Sequence, residues 1–310
     1  MKRKVAGLLA LTMVLAFSGT ALAHIDVEGS PFLIFEMSTS EIQSIDIKDG
    51  SVADWEALYD PNLLPTDFFA DPTVGDGAQY DPNDLDFRIW FGWTRPINGN
   101  HIYFAVERVD DVYLNEYEGG NPGSLWQHDS VEFMIDGDHT GGQYGGWTSG
   151  EHYETEEELK IINNAQAQQY LCIPESPDGY YAGYLGSGTG WVNTPSYMDA
   201  GGGVVGTNPT ISVIEFYTTA FNNIIWNDPD GSDAAELTPD LIVGFQISVP
   251  DFEVAPASYH AFHTLSGQSE TFRYAERFVD GILVGAADPG PGITAIEASS
   301  WAQIKASFVD

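Results

Sequence analysis

Apolar and polar residues alternate along most of this chain, a pattern that predicts β-strands rather than helices. The clearest alternation fills two stretches, 87–93 and 102–106, on either side of a short turn sequence. The turn contains Asn98-Gly99, a pair that favours a tight reversal of the chain. We therefore predict a β-hairpin, with the bulky apolar side chains on one face and Tyr103 and Glu107 on the other.

Seven further stretches show strand-like patterns bounded by Gly, Pro, Asn and Asp. They lie near 128–136, 166–173, 179–185, 210–219, 241–249, 258–265 and 299–308. This number of short strands predicts an all-β fold, an antiparallel β-sandwich of the jelly-roll type. Three long acidic loops are predicted at 60–84, 139–158 and 186–209. No repeat or linker divides the chain, so we expect one domain over 24–310.

The first 23 residues have the three parts of an export signal. Lys2, Arg3 and Lys4 form a basic start, a short apolar run follows, and Ala21-Leu22-Ala23 supplies the small residues around a cleavage point. The apolar run is too short to span a bilayer, and no later stretch is apolar enough to do so. The sequence therefore predicts a secreted or periplasmic protein that begins at His24 after cleavage.

The chain is strongly acidic, with 11 basic and 46 acidic residues. Removal of the signal leaves eight basic residues and a net charge of −38. Such a charge repels nucleic acids and anionic membrane surfaces, so neither is expected as a partner. The single cysteine, Cys172, cannot form an internal disulfide and is predicted to be a buried thiol.

Six segments, in the same order along the chain, resemble family 9 carbohydrate-binding modules and the wider superfamily that includes the DOMON domains. They are Ile47 to Trp55, Trp90 to Asp111, Leu125 to Asp136 with its Trp-x-x-Asp-Ser-Val-Glu run, Ile211 to Tyr217 with Glu215, Gly244 to Asp251, and Trp301 to Lys305. The resemblance implies a β-sandwich, often with calcium and often with sugar binding. Family members that grip sugar clamp it between two aromatic rings, one of them a Trp just before the closing strand. In this chain that interval has Tyr259, Phe262, Phe272 and Tyr274 instead.

A candidate calcium loop follows the stretch at 128–136. Asp136, Asp138 and Thr140 place oxygen donors at alternate positions before Gly141, and Asp129 adds a further carboxylate. The twelfth position is Trp147 rather than the Glu of an EF-hand, so the loop is not one. A solvated acidic turn is the alternative. Three more acidic residues are donors that folding would have to bring near: Asp110, Asp111 and Asp251.

A sugar site needs exposed aromatic rings with carboxylates or amides beside them. The candidate residues are Trp126, Trp147, Trp191, Tyr103, Glu107, Glu132 and Gln246. Trp226 lies in a similar loop. The alternative for each Trp is that it packs a loop onto the sandwich.

The function predicted from these features is non-catalytic binding of a polysaccharide or other glycan by a calcium-stabilised protein. No catalytic motif supports an enzyme, and acidic pairs carry no information in so acidic a chain. One alternative is a surface or matrix protein in which calcium only rigidifies loops. A second is a haem-binding DOMON-like protein that would use Met37, Met134 or Met198 with histidines. At the mature terminus, the amine and imidazole of His24 can together chelate copper, although a frayed terminus is favoured.

Overall fold

The computed structural model describes residues 24, 31–58, 62–72, 79–179 and 181–286. The strands in this part of the chain are β1 Phe32–Glu36, β2 Leu63–Leu64, β3 Leu85–Trp93, β4 Ile102–Asp110, β5 Val131–Asp136, β6 Gln168–Cys172, β7 Ala182–Tyr184, β8 Met198–Gly206, β9 Thr210–Thr218, β10 Phe221–Asn223, β11 Asp233–Ala234, β12 Ile242–Phe252, β13 Tyr259–Thr264 and β14 Val279–Val284. The helices are α1 Thr39–Ser44 and α2 Glu156–Ile162. A capping box begins each helix: the side chains of Ser38 and Thr155 accept the backbone N–H groups of Glu41 and Glu158, whose carboxylates accept the N–H groups of the capping residues in return.

Twelve of the strands form one large sheet in the order β7-β6-β5-β12-β14-β1-β3-β4-β9-β8, with β13 beside β12 and β2 beside β3. The sheet curls back so that its two halves face each other, although its edge strands β7 and β8 are not paired with each other. The rings of Phe104 on β4 and Phe133 on β5 lie 5.2 Å apart between centroids, although four strands separate β4 from β5 in the sheet order. The two halves therefore face each other across a shared core, and the predicted all-β sandwich is confirmed.

Strand β1 departs from the predicted antiparallel arrangement, since it runs parallel to both of its neighbours, β14 and β3. A parallel pair cannot be joined by a tight turn and needs a connection of a dozen or more residues. Residues 37–84 supply that connection between β1 and β3. Part of this connection covers the outer face of the sheet, where Met37, Val52 and Trp55 form a second apolar cluster with Trp90 and Tyr103.

The predicted hairpin is confirmed as β3 and β4, which pair with Phe91 opposite Phe104. Its connection, residues 94–101, is longer than the tight turn predicted from Asn98-Gly99 and contains a 3-10 turn at Pro96–Asn98. The predicted core faces of the hairpin and of β5 are also confirmed. The alternate apolar residues of all three strands lie in the main core.

Strand β8 occupies a stretch that was predicted to be a loop because of its glycines. At Gly201 a Cβ atom would lie only 1.8 Å from the carbonyl oxygen of Ile47. The glycines therefore do not break this strand but allow the backbone of the 37–84 connection to pass directly over it. Strands β1 and β14 were not predicted either, and the predicted strand at 299–308 and the export signal at 1–23 lie outside the described residues.

No helix among the described residues has the length and apolar character needed to cross a membrane.

Candidate functional site

Asp129, the first residue of the Asp-Ser-Val-Glu run, connects the start of β5 to the segments that contain Phe252 and Leu114. One carboxylate oxygen accepts a hydrogen bond from the backbone N–H of Phe252 at 2.9 Å, and the other accepts one from Leu114 at 2.5 Å. The Arg108 guanidinium lies 3.4 Å away. Asp129 is therefore a buried acceptor that ties two backbone segments to the start of β5, and its role as a calcium ligand stays a prediction.

Trp126 lies just before Asp129, near the end of the 3-10 turn Pro122–Gln127. Its ring is half-buried on a small apolar cluster that includes Leu125 and Leu171. The backbone N–H of Ala257 donates to the carbonyl of Gln127 at 3.0 Å and so brings the start of β13 to this turn. As a result Tyr259 lies beside Trp126, with 6.3 Å between ring centroids and 35° between planes.

Glu132 follows on the outer face of β5 and is 5% exposed. Burial raises the pKa of its carboxyl to about 7, against a weak opposing effect from the Gln169 amide at 3.5 Å. Burial and the charge of Glu132 together raise the pKa of Tyr259. Glu132 is thus within electrostatic range of Tyr259 and has no cation to neutralise it in the contacts described for it.

Two amides accompany Glu132 on this face. Gln169 on β6 is the amide just described, and sequence reasoning missed it because only the β5–β6 register reveals it. Gln246 on β12 was predicted; its carbonyl oxygen accepts a hydrogen bond from the N–H of Ser266 at 3.1 Å. The structure thus places the predicted Trp126, Glu132 and Gln246 in one region, and adds Tyr259 and Gln169.

The other predicted platform tryptophans hold loops in place. The indole N–H of Trp147 donates to the carbonyls of Tyr144 and Ile162 at 3.0 and 3.2 Å. The Trp191 ring packs on Phe221, and its N–H donates to the carbonyl of Trp226 at 3.0 Å. The N–H of Trp126, by contrast, donates to no group in the part of the chain that the structure describes. The half-buried Trp126 is therefore the best available platform of the three.

Tyr103 and Glu107 do not join this region, contrary to prediction. Both lie on the outer face of β4, in the opposite layer from Glu132 and Gln246. The Tyr103 ring is 7% exposed and lies 5.2 Å from that of Tyr217, while Glu107 accepts two hydrogen bonds from Arg88. Alternation along a strand correctly assigned each residue to an outer face, but it does not say which layer that face belongs to.

The predicted four-residue calcium set is not a single site. Asp129 and Asp136 lie at opposite ends of β5, roughly 20 Å apart at about 3.3 Å per residue. Asp138 and Thr140 do lie together, since the Thr140 hydroxyl donates to Asp138 at 2.7 Å. Asp136 Oδ2 lies 3.2 Å from Nε2 of His24 and accepts a hydrogen bond from the N–H of Gly141 at 2.7 Å. The prediction of a frayed His24 is wrong, because His24 is 3% exposed.

Two other carboxylate clusters lie at the end of the sandwich that carries Asp129. In the first, the buried guanidinium of Arg108 lies 2.9, 3.4 and 4.0 Å from the carboxylates of Asp110, Asp129 and Asp251. Arg108 is the cation that faces these carboxylates in the described part of the chain. One cation faces three carboxylates, and burial raises the pKa of Asp129 to about 7 and that of Asp251 to about 8 in spite of Arg108.

The second cluster consists of Asp84, Asp251, Glu253 and His260, with donor atoms within 4.8 Å of one another. His260 lies 3.3 Å from Asp84 and 3.5 Å from Glu253. Burial raises the pKa of Glu253, and the neighbouring Asp84 carboxylate raises it further. This cluster is partly open to solvent and has the oxygen donors that a hard cation prefers.

The three methionines proposed as haem ligands lie in three different apolar clusters. Met37 belongs to the outer cluster under the 37–84 connection, Met134 to one on the outer face of β5, and Met198 to the main core. All three are nearly or fully buried.

A comparison with solved structures finds two family 9 carbohydrate-binding modules from Caldicellulosiruptor kristjanssonii. The one in complex with glucose is 12% identical, with a TM-score of 0.46 over 84% of this chain and 98% of that chain. The one in complex with cellotriose is 14% identical, with a TM-score of 0.47 over 86% of this chain and 99% of that chain. Both belong to the family that the sequence motifs resemble. No protein-family model matches the chain, and no curated protein matches it.

Proposed function

We propose that this protein is exported and binds a carbohydrate without catalysis, at a site centred on Trp126. The observation that carries the proposal is the pair of half-buried rings of Trp126 and Tyr259, with the Glu132 carboxylate within electrostatic range of Tyr259 and without a cation partner. Sugars offer flat C–H faces that pack on aromatic rings and hydroxyl edges that hydrogen-bond to carboxylates and amides. Glu132 and Gln169, 5% and 6% exposed, supply the acceptor and donor for those edges, while the fully buried Gln246 holds Ser266 behind them.

The geometry limits how a sugar ring binds. A pyranose held between two aromatic rings needs two van der Waals separations, about 7 to 8 Å between the rings. Trp126 and Tyr259 are 6.3 Å apart and touch each other, so no sugar fits between them as they stand. The sugar therefore stacks on the free face of Trp126, and Tyr259 supports that ring from the side.

The polar residues beside Glu132 favour binding over hydrolysis. Glycoside hydrolysis uses a pair of carboxylates flanking the scissile bond. The polar side chains nearest to Glu132 on this outer face are the amides of Gln169 and Gln246 and the hydroxyl of Ser248, which lies opposite Glu132 on β12. Amides donate and accept hydrogen bonds but do not transfer protons as general acids or bases.

We also propose that calcium stabilises the fold at the cluster of Asp84, Asp251 and Glu253. Three carboxylates in close contact repel one another, and a divalent cation removes that repulsion. This position replaces the predicted loop at 136–140, because it combines three carboxylates with one imidazole, His260, whereas the loop contains His139 and lies beside His24. Export, with cleavage of the signal before His24, is carried over from the sequence prediction.

A glycan array probed with and without a calcium chelator tests the function. Sugar-specific signals that disappear when Trp126 is changed to Ala support the proposed site. An array without signals, combined with a large fall in melting temperature on chelation, supports instead the surface or matrix protein stabilised by calcium. Visible spectra of the oxidised and reduced protein test the haem alternative, which predicts a Soret band.

A further inference from the structure

Three side chains meet beside β12 in a way that neither sugar binding nor the calcium cluster explains. They are His24, His139 and Asp280, with ligand atoms within 4.8 Å of one another. Asp280 Oδ1 lies 3.2 Å from His24 Nδ1 and 2.7 Å from His139 Nε2. We propose that these three residues bind a divalent transition-metal ion of the class that prefers imidazole, such as Zn²⁺.

The separations fit the edges of a small coordination shell. Nitrogen and oxygen ligands lie about 2.0 to 2.2 Å from zinc in a tetrahedral site, which puts neighbouring ligand atoms about 3.3 Å apart. The distances from Asp280 Oδ1 to the two ring nitrogens, 3.2 and 2.7 Å, are close to that edge without any movement of the backbone. Two imidazoles and a carboxylate are donors that zinc accepts readily and that calcium does not prefer.

His24 is oriented as a metal ligand rather than as a surface residue. Its Nε2 lies 3.2 Å from Asp136 Oδ2, so that carboxylate can accept the Nε2 proton when Nδ1 binds the metal ion. A histidine that donates one ring N–H to a carboxylate and binds metal through the other nitrogen is a common arrangement around zinc. The Nδ1 atom is buried and has no hydrogen-bond partner, because the Asp280 oxygen is near but out of line.

The surroundings hold the imidazole in one position. The His24 ring stacks on Phe278 with 6.0 Å between centroids and 6° between planes. Gly244 also lies against the ring, since an added Cβ atom there would be 2.3 Å from it. A buried imidazole with an unpartnered nitrogen costs free energy, and a bound metal ion would remove that cost.

The backbone of His139 is constrained as well. Its backbone has a φ of 57°, in the left-handed region that few residues other than glycine adopt. Residues held in such conformations occur often at binding sites, where the surrounding structure supports the strain. Here the conformation brings the ring of His139 to 4.2 Å from that of His24.

Calorimetric titration of the chain beginning at His24 with Zn²⁺ tests the proposal. We expect one equivalent to bind, excess Ca²⁺ not to compete, and His139→Ala and Asp280→Asn each to weaken binding at least tenfold. His152→Ala, at an exposed histidine in another loop, is the matched control and should bind as the parent does. Binding that His139→Ala and Asp280→Asn leave unchanged, or no stoichiometric binding at all, would overturn the proposal.

A second variant distinguishes a change in the site from a loss of folding. Gly244→Ala keeps every ligand but pushes the His24 ring out of place, so it should lower zinc affinity while thermal unfolding stays cooperative. Co²⁺ in the parent protein should show visible ligand-field bands of a site with nitrogen ligands, and Zn²⁺ should abolish them. Bands that persist unchanged in Gly244→Ala contradict the geometry. None of these readouts depends on glycan binding, so the two proposals fail separately.

Discussion

The indole N–H of Trp55 donates a hydrogen bond to Oε1 of Glu215, at 2.9 Å and with both side chains fully buried. The two residues are 160 positions apart in the sequence. The bond fastens the 37–84 connection to β9 and closes the outer apolar cluster over β3, β4 and β9. Burial, reinforced by the nearby Asp54 and Asp49, raises the pKa of Glu215 to about 8 even though the Trp55 hydrogen bond opposes the shift.

The raised pKa of Glu215 predicts that the protein loses stability as pH rises. Between pH 4.5 and about 8 the folded state keeps the proton that the unfolded chain releases. The contribution to the free energy of unfolding is therefore full below pH 4.5 and is lost as pH rises through this window. Glu215→Gln has no titrating proton, so its melting temperature should fall less than that of the parent across the same range. Parallel pH profiles for the two proteins would refute this assignment.

Removal of the donor from the same pair should cost stability. Trp55→Phe keeps the ring packing but leaves the buried Glu215 oxygen without its hydrogen bond, which typically costs about 1 to 3 kcal/mol. Trp90→Phe is a matched control in the same cluster, since no hydrogen bond is described for its indole N–H. Denaturant unfolding of both variants measures the difference. An equal loss in the two would show that the Trp55 hydrogen bond contributes nothing of its own.

Gly201 should tolerate no side chain. Its Cβ would lie 1.8 Å from the carbonyl oxygen of Ile47, so Gly201→Ala must push the 37–84 connection away from β8. Overpacking of this kind costs about 1 to 3 kcal/mol or more. Gly190→Ala is the control, because nothing lies within 4 Å of the corresponding position. Similar unfolding free energies for the two variants would contradict the close backbone approach.

Calcium removal should destabilise the protein through the Asp84, Asp251 and Glu253 cluster. A chelator is expected to lower the melting temperature of the parent, and Glu253→Gln should show a much smaller response. Glu118→Gln makes the same change of charge at an exposed position and should respond as the parent does. If chelation has no effect on the parent, calcium does not stabilise this fold.

Local patterns in the sequence were enough to predict β3, β4 and β5 and the inward faces of their apolar residues. The resemblance also selected Trp55 and Glu215 separately, although nothing in the sequence shows that they touch. Strand β8 was missed because its glycines, read locally, indicate a loop, whereas they serve a contact with a distant segment. Short-range patterns describe each element, but contacts between remote segments depend on the order of strands in the sheet.

Prediction of the candidate site is limited in the same way by contacts that depend on strand pairing. Trp126, Glu132 and Gln246 were found because each lies in a strand or turn with a recognisable pattern. Gln169 was missed because its place beside Glu132 depends on the pairing of β5 with β6. His24 was expected to be frayed because chain ends usually are, and only the tertiary structure shows Phe278 and Gly244 around its ring.

The most direct test of carbohydrate binding at Trp126 is the affinity of Trp126→Ala for the strongest glycan found on the array, measured by calorimetry beside the parent and Trp226→Ala. Trp226 is another half-buried indole, located beside Lys160 instead of Tyr259. We predict that Trp126→Ala loses at least tenfold in affinity, about 1.4 kcal/mol, and that Trp226→Ala binds as the parent does. Unchanged affinity in a folded Trp126→Ala protein, or an equal loss in both variants, would contradict a binding site centred on Trp126.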